Sequence, residues 1–157
     1  MRTKMTTSMT NTPVIVMTTR QRGEGEPITG DAALAPLRKH RHPRLARICF
    51  ELPEVTADSA TGQHIAFRVR GKTFAYYLDN HHNDGRIAVA CKVPLLAQSE
   101  MVEIDPVRCF VPPYLGYNGW VGYRLDVGAV DWGEVAELVR GSYRLIAPKR
   151  LAETVTG

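Results

Sequence analysis

Three times between His64 and Val93 the apolar residues fall on alternate positions: Ile65, Phe67 and Val69, then Phe74, Tyr76 and Leu78, then Ile87, Val89, Cys91 and Val93. Successive side chains of a strand point to opposite faces, so each run predicts a strand with one apolar face. Gly71 supplies the first turn. Asp79–Gly85 forms the second loop, and its Asp84-Gly85 end is a strong hairpin signal. The spacing predicts an antiparallel meander over His64–Arg70, Lys72–Leu78 and Arg86–Val93. Such a sheet needs a second layer to cover its apolar face.

That layer comes from segments of helical period. Leu45, Ile48, Cys49 and Leu52 predict a helix over Arg44–Glu51, opened by Pro43 and ended by Pro53. Trp132, Val135, Val139, Tyr143 and Ile146 make the clearest helical stripe. Asp131 and Glu134 have capping-box spacing at its start, and Pro148 ends it ahead of Lys149-Arg150. A short helix is expected over Leu95–Glu103, and two further strands over Arg108–Val111 and Trp120–Asp126. Val55–Gln63 and Tyr114–Gly119 read as loops. The expected order is α-β-β-β-α-β-β-α: a two-layer α+β fold, an antiparallel sheet with helices on one face.

A chain of 157 residues makes one domain of ordinary size. Residues 1–40 are expected to be an unstructured basic segment, and residues 41–153 a single domain. Asp31–His42 has helical character but contains Pro36, and its cluster Arg38-Lys39-His40-Arg41-His42 marks the edge of the folded body. Met1, Met5, Met9 and Met17 crowd the beginning, as expected if translation starts downstream or if the segment is a genuine arm. Pro13–Met17 is too short for a secretory signal core, and no apolar run approaches membrane-helix length. The protein is therefore expected to be soluble and cytoplasmic, with no membrane partner. The net charge is +4, and residues 1–42 carry all of it: seven bases less three acids. Residues 43–157 hold 13 bases and 13 acids. Cys49, Cys91 and Cys109 lie among apolar residues without CxxC spacing, so they are expected to be buried hydrophobes.

Chemistry-bearing residues form three groups. Arg68, Arg70 and Lys72 flank a hairpin turn, and an exposed basic hairpin can contact duplex phosphates. Asp79, His81 and His82 sit in a polar loop with Asn80, Asn83 and Asp84; turn formation is the default for such a loop, and no metal is expected there. Tyr114, Tyr117 and Trp120 surround Gly116 and Gly119, where aromatics can stack on bases or frame a pocket. No GxSxG, P-loop, GxGxxG or HExxH pattern is present. No catalytic role and no cofactor are expected.

Several ordered blocks resemble the MmcQ/YjbR family of small bacterial proteins: Phe67-Arg-Val-Arg-Gly-Lys-Thr-Phe-Ala75, Gly85-Arg-Ile-Ala-Val-Ala-Cys-Lys92, Asp105-Pro-Val-Arg-Cys-Phe-Val-Pro-Pro113, Gly119-Trp-Val-Gly-Tyr-Arg-Leu-Asp126, and the helix from Asp131 to Arg140 with Ser142–Leu151. The resemblance spans roughly residues 43–152. It implies a fold similar to that of secretion chaperones and a double-wing mode of DNA binding. On that basis the chain is expected to be a non-enzymatic DNA-binding protein. Arg68, Arg70 and Lys72, joined by Arg86 and Lys92, would contact phosphates of double-stranded DNA weakly and without sequence preference. The Arg38–His42 segment would add attraction. Two alternatives stand beside it. One is a protein-interaction module binding a partner or a second copy. The other is a small-molecule binder or enzyme using His81, His82 and Tyr117, with Asp79 and Trp120, in a pocket between the histidine and aromatic loops.

Overall fold

A computed structural model describes residues 30–59, 64–113 and 115–155. The elements in chain order are α1 (Gly30–Phe50), β1 (Val55–Asp58), β2 (His64–Val69), β3 (Lys72–Asp79), β4 (Ile87–Lys92), α2 (Ala97–Ile104), β5 (Cys109–Phe110), β6 (Trp120–Arg124), α3 (Trp132–Ile146) and α4 (Lys149–Ala152). The strands form one six-stranded sheet in the order β1-β2-β3-β4-β6-β5, with every pairing antiparallel. The fold is α+β, as the alternation and the helical stripe predict.

The main core lies between the sheet and its helices. Phe67, Val69, Ile87, Val89, Cys91, Val121, Tyr123 and Leu125 meet Leu45 and Cys49 of α1 and Val135, Val139 and Tyr143 of α3. The Asp131 carboxylate caps α3 by accepting from the Glu134 backbone N–H. The Glu134 side chain instead accepts from the Tyr123 hydroxyl at 2.7 Å, which ties the first turn of α3 to the sheet. The opposite sheet face carries a smaller cluster of Leu78, Ala88, Ala90 and Trp120, partly covered by Tyr76, Phe110 and Leu115.

Besides the short α4 beyond Pro148, the structure differs from the sequence reading at three places. First, α1 runs unbroken from Gly30 through both Pro36 and Pro43. Residues 30–40, assigned to the unstructured basic segment although Asp31–His42 has helical character, are part of the helix; residues 1–29 lie outside the described residues. An interior proline costs a helix roughly 3 kcal/mol, and long-range contacts offset it. Leu34 is buried, Arg38 Nε donates to the Asp79 carboxylate at 2.5 Å, and Arg41 Nε donates to the Leu125 carbonyl at 2.7 Å.

Second, Val55–Asp58, read as loop, is an edge strand pairing Val55 with Val69 and Asp58 with Ala66. Only Val55 is even half-buried, so the segment has no alternation to reveal it.

Third, the β2–β3 register shifts, with Phe67 opposite Ala75 but Arg68 opposite Thr73. Phe74 is the extra residue of a β-bulge. It joins Ala75 on the helix side, where its ring packs edge-on against Tyr143, while Tyr76 and Leu78 keep the other face.

Candidate functional site

The basic hairpin forms, and the missed strand decides its electrostatics. Arg70 follows β2 at φ 51° and Gly71 comes next at φ 80°, so two left-handed residues make the turn. Arg70 therefore leaves the strand instead of sharing a strand face with Arg68. Its Nε and Nη2 grip both oxygens of Glu54 at 2.5 and 3.0 Å. Arg68 donates to Asp58 at 2.8 Å and to the Thr73 hydroxyl at 3.1 Å. The Arg70 guanidinium holds the Glu54 carboxyl below its ordinary pKa. Lys72 is exposed and makes no ion pair among the described residues. Glu54 and Asp58 were missed as site residues. The available signal was two acids flanking a short β-branched segment just before a basic hairpin, a cross-strand pattern.

The other two bases lie apart from each other. Lys92 pairs with Trp120 across β4 and β6, at the end of the sheet where β3 begins. Arg86 precedes β4 beside Asp79, about 20 Å away along the eight-residue β3. Its guanidinium lies over the Phe110 ring at 4.2 Å.

The ligand-loop residues also separate. His81 meets His64 and His82, with ring centroids 5.1 and 4.0 Å apart. Burial and the neighbouring imidazoles His82 and His64 lower the His81 pKa below its ordinary value. His64 continues the line to Tyr76, and Tyr76 to the buried Trp120, so aromatic rings cross the back of the sheet. Asn80 is structural: its side-chain oxygen accepts from the Gly85 N–H and its backbone sits at φ 51°. Asp79 faces the opposite, helical side and holds Arg38. Tyr117 is 85% exposed. It lines a groove of about 330 Å³ with Lys92, Val93, Pro94, Leu95 and Leu145, and no histidine is in that lining. Tyr114 lies outside the described residues. No group of three or more His, Cys, Asp or Glu among the described residues is placed to hold a metal ion.

All three cysteines are buried and unpaired. Burial raises each thiol pKa, that of Cys109 to about 11, so they are poor nucleophiles. No helix among the described residues is long and apolar enough to cross a membrane.

A family model described as YjbR matches residues 50–145. Among solved structures, the chain is similar to the crystal structure of Deinococcus radiodurans protein DR2400, described with a DUF419 domain. The TM-score is 0.52 at 23% identity, over 76% of this chain and 81% of that chain. That likeness concerns the fold. No curated protein matches the sequence.

Proposed function

The chain belongs to the YjbR family, and we propose that it is a non-enzymatic protein that binds double-stranded DNA through phosphate contacts without sequence preference. One observation carries the reading: the hairpin arginines are held by carboxylates that are themselves in solvent. The Arg68 and Asp58 side chains are 37% and 49% exposed, and those of Arg70 and Glu54 are 56% and 47% exposed. Exposed ion pairs are weak because water and salt screen them. A phosphate offers a guanidinium the same two-oxygen geometry that Glu54 offers Arg70. The exchange of carboxylate for phosphate therefore costs little, and Lys72 makes no ion pair among the described residues that would have to be exchanged. Burial raises the pKa of all three thiols, which makes them poor nucleophiles and supports a role without cysteine catalysis.

Fluorescence anisotropy of a labelled duplex across a salt series tests the proposal. Three hairpin contacts alone predict a log–log slope of about −2.7, from roughly −0.9 per phosphate. An Arg68→Gln/Arg70→Gln/Lys72→Gln variant should show a shallower slope. A flat wild-type salt dependence sinks the DNA reading. A triple variant indistinguishable from wild type removes the hairpin from it.

A second reading, self-association, is favoured by the apolar groove, where Leu95 and Tyr117 stand 86% and 85% exposed. Light scattering would support it by showing a dimer that Leu95→Ser/Tyr117→Ser dissolves. A strict monomer at high protein concentration would count against it.

A further inference from the structure

The positive charge of the domain is concentrated on one helix. Within Gly30–Phe50, α1 holds Arg38, Lys39, Arg41, Arg44 and Arg47 against the single acid Asp31, so 5 − 1 = +4. Residues 51–157 hold 11 bases and 13 acids, so 11 − 13 = −2. Packing then divides the five bases. Arg38 and Arg41 turn towards the sheet, to Asp79 and the Leu125 carbonyl. Lys39, Arg44 and Arg47 are exposed, with His40 beside them. None of the three makes an ion pair among the described residues, and Arg44 lies over the Trp132 ring at 5.2 Å.

We infer that this outward face of α1 is a phosphate-contacting surface for duplex DNA, and that it contributes more than the hairpin. The inference rests on the DNA-binding reading above. Eight residues of helix place Lys39 and Arg47 about 12 Å apart, a length of duplex that presents roughly seven phosphate charges. The hairpin arginines must release Glu54 and Asp58 before they reach phosphate, whereas among the described residues the three helix bases have no carboxylate to release.

An anionic membrane is the rival polyanion. A helix that lies on a bilayer inserts an apolar face. Here Leu34, Leu45 and Cys49 are consumed by the core, and Phe50 is the only large exposed apolar residue of α1. The surface is therefore charged without an insertion face, which favours DNA.

The test compares full-length wild type, the hairpin triple variant and Lys39→Gln/Arg44→Gln/Arg47→Gln in the same anisotropy salt series. Circular dichroism checks each fold, and Lys39→Gln/Arg47→Gln serves if loss of the Arg44–Trp132 contact unfolds the triple. The expected result for the helix triple is at least about tenfold weaker binding at low salt, with a slope shallower by roughly 2.7 units. The hairpin triple should lose less. A helix variant that binds like wild type while the hairpin variant fails overturns this inference and leaves the DNA reading standing. A wild type that does not bind duplex removes the DNA reading, and the inference with it. Sedimentation with phosphatidylserine vesicles that outcompetes DNA and depends on the same three bases assigns the surface to membrane and overturns the inference as to partner.

Discussion

Ser142 lies inside the sheet's hydrogen-bond ladder, and removing its hydroxyl should be among the costliest single-atom changes in the domain. The β3–β4 register pairs Ala75 with Cys91, so the next opposed pair is Phe74 with Lys92. The Ser142 hydroxyl stands between the Lys92 N–H and the Phe74 C=O. The Lys92 N–H donates to Ser142 Oγ at 2.9 Å, and the Ser142 hydroxyl donates to the Phe74 carbonyl at 2.6 Å. Ser142 is fully buried on α3, so one hydroxyl ties the helix to both strands beside the bulge. Ser142→Ala leaves a backbone donor and a backbone acceptor without partners. Each buried orphan costs about 1–3 kcal/mol. Water can reach the half-buried Lys92 side, which brings the expected loss to about 2–4 kcal/mol. For a domain of this size that lowers Tm by roughly 6–20 °C. Urea and thermal unfolding followed by circular dichroism would measure it. A loss under about 0.5 kcal/mol would mean that the strands close and bond directly once the hydroxyl is gone, and that the Ser142 bridge is dispensable.

Three other perturbations follow from packing and charge. Gly122→Ala places a Cβ 2.4–2.7 Å from three Phe110 ring atoms, so the ring must leave its seat and Arg86 loses its aromatic partner. The expected loss is about 1–2 kcal/mol by chemical denaturation, with part of it recovered by adding Phe110→Leu; a neutral Gly122→Ala would contradict the packing. The Cys109 thiol has its pKa raised to about 11 from an ordinary 9.0. Its contribution to stability is therefore complete below pH 9 and is lost as pH rises through 11. Iodoacetamide at pH 8 should label native protein far more slowly than protein in urea, and equal rates would contradict burial. Glu54→Gln/Asp58→Asn removes the carboxylates that compete with phosphate for Arg70 and Arg68, so duplex affinity should rise at each salt concentration. Unchanged affinity would show that the carboxylates do not compete with phosphate.

What the sequence reveals follows from where the folding information is stored. The meander and α3 are legible because alternation and the three-four stripe are local consequences of one-sided burial. The full α1 is not, because Pro36 and Pro43 are locally unfavourable and the compensating Arg38–Asp79 and Arg41–Leu125 bonds join residues 41 and 84 positions apart. β1 is hidden because an edge strand with one half-buried residue shows no period. The Phe74 bulge preserves the alternation on paper while turning that side chain to the other face. The candidate site divides the same way. Arg68, Arg70 and Lys72 are visible as a basic hairpin, but Glu54 and Asp58 reach it only through the β1–β2 pairing. His81 and Tyr117 are close in composition and separate in space, because one belongs to the histidine turn and the other to the groove beside Lys92.

Binding to duplex phosphates without reading bases is tested by the affinity of the full chain for two duplexes of unrelated sequence, each measured from low to physiological salt. Equal affinities and parallel straight log–log lines are expected, with a slope of about −2.7 or steeper. No binding at low salt, or a strong preference for one duplex with little salt dependence, would contradict it.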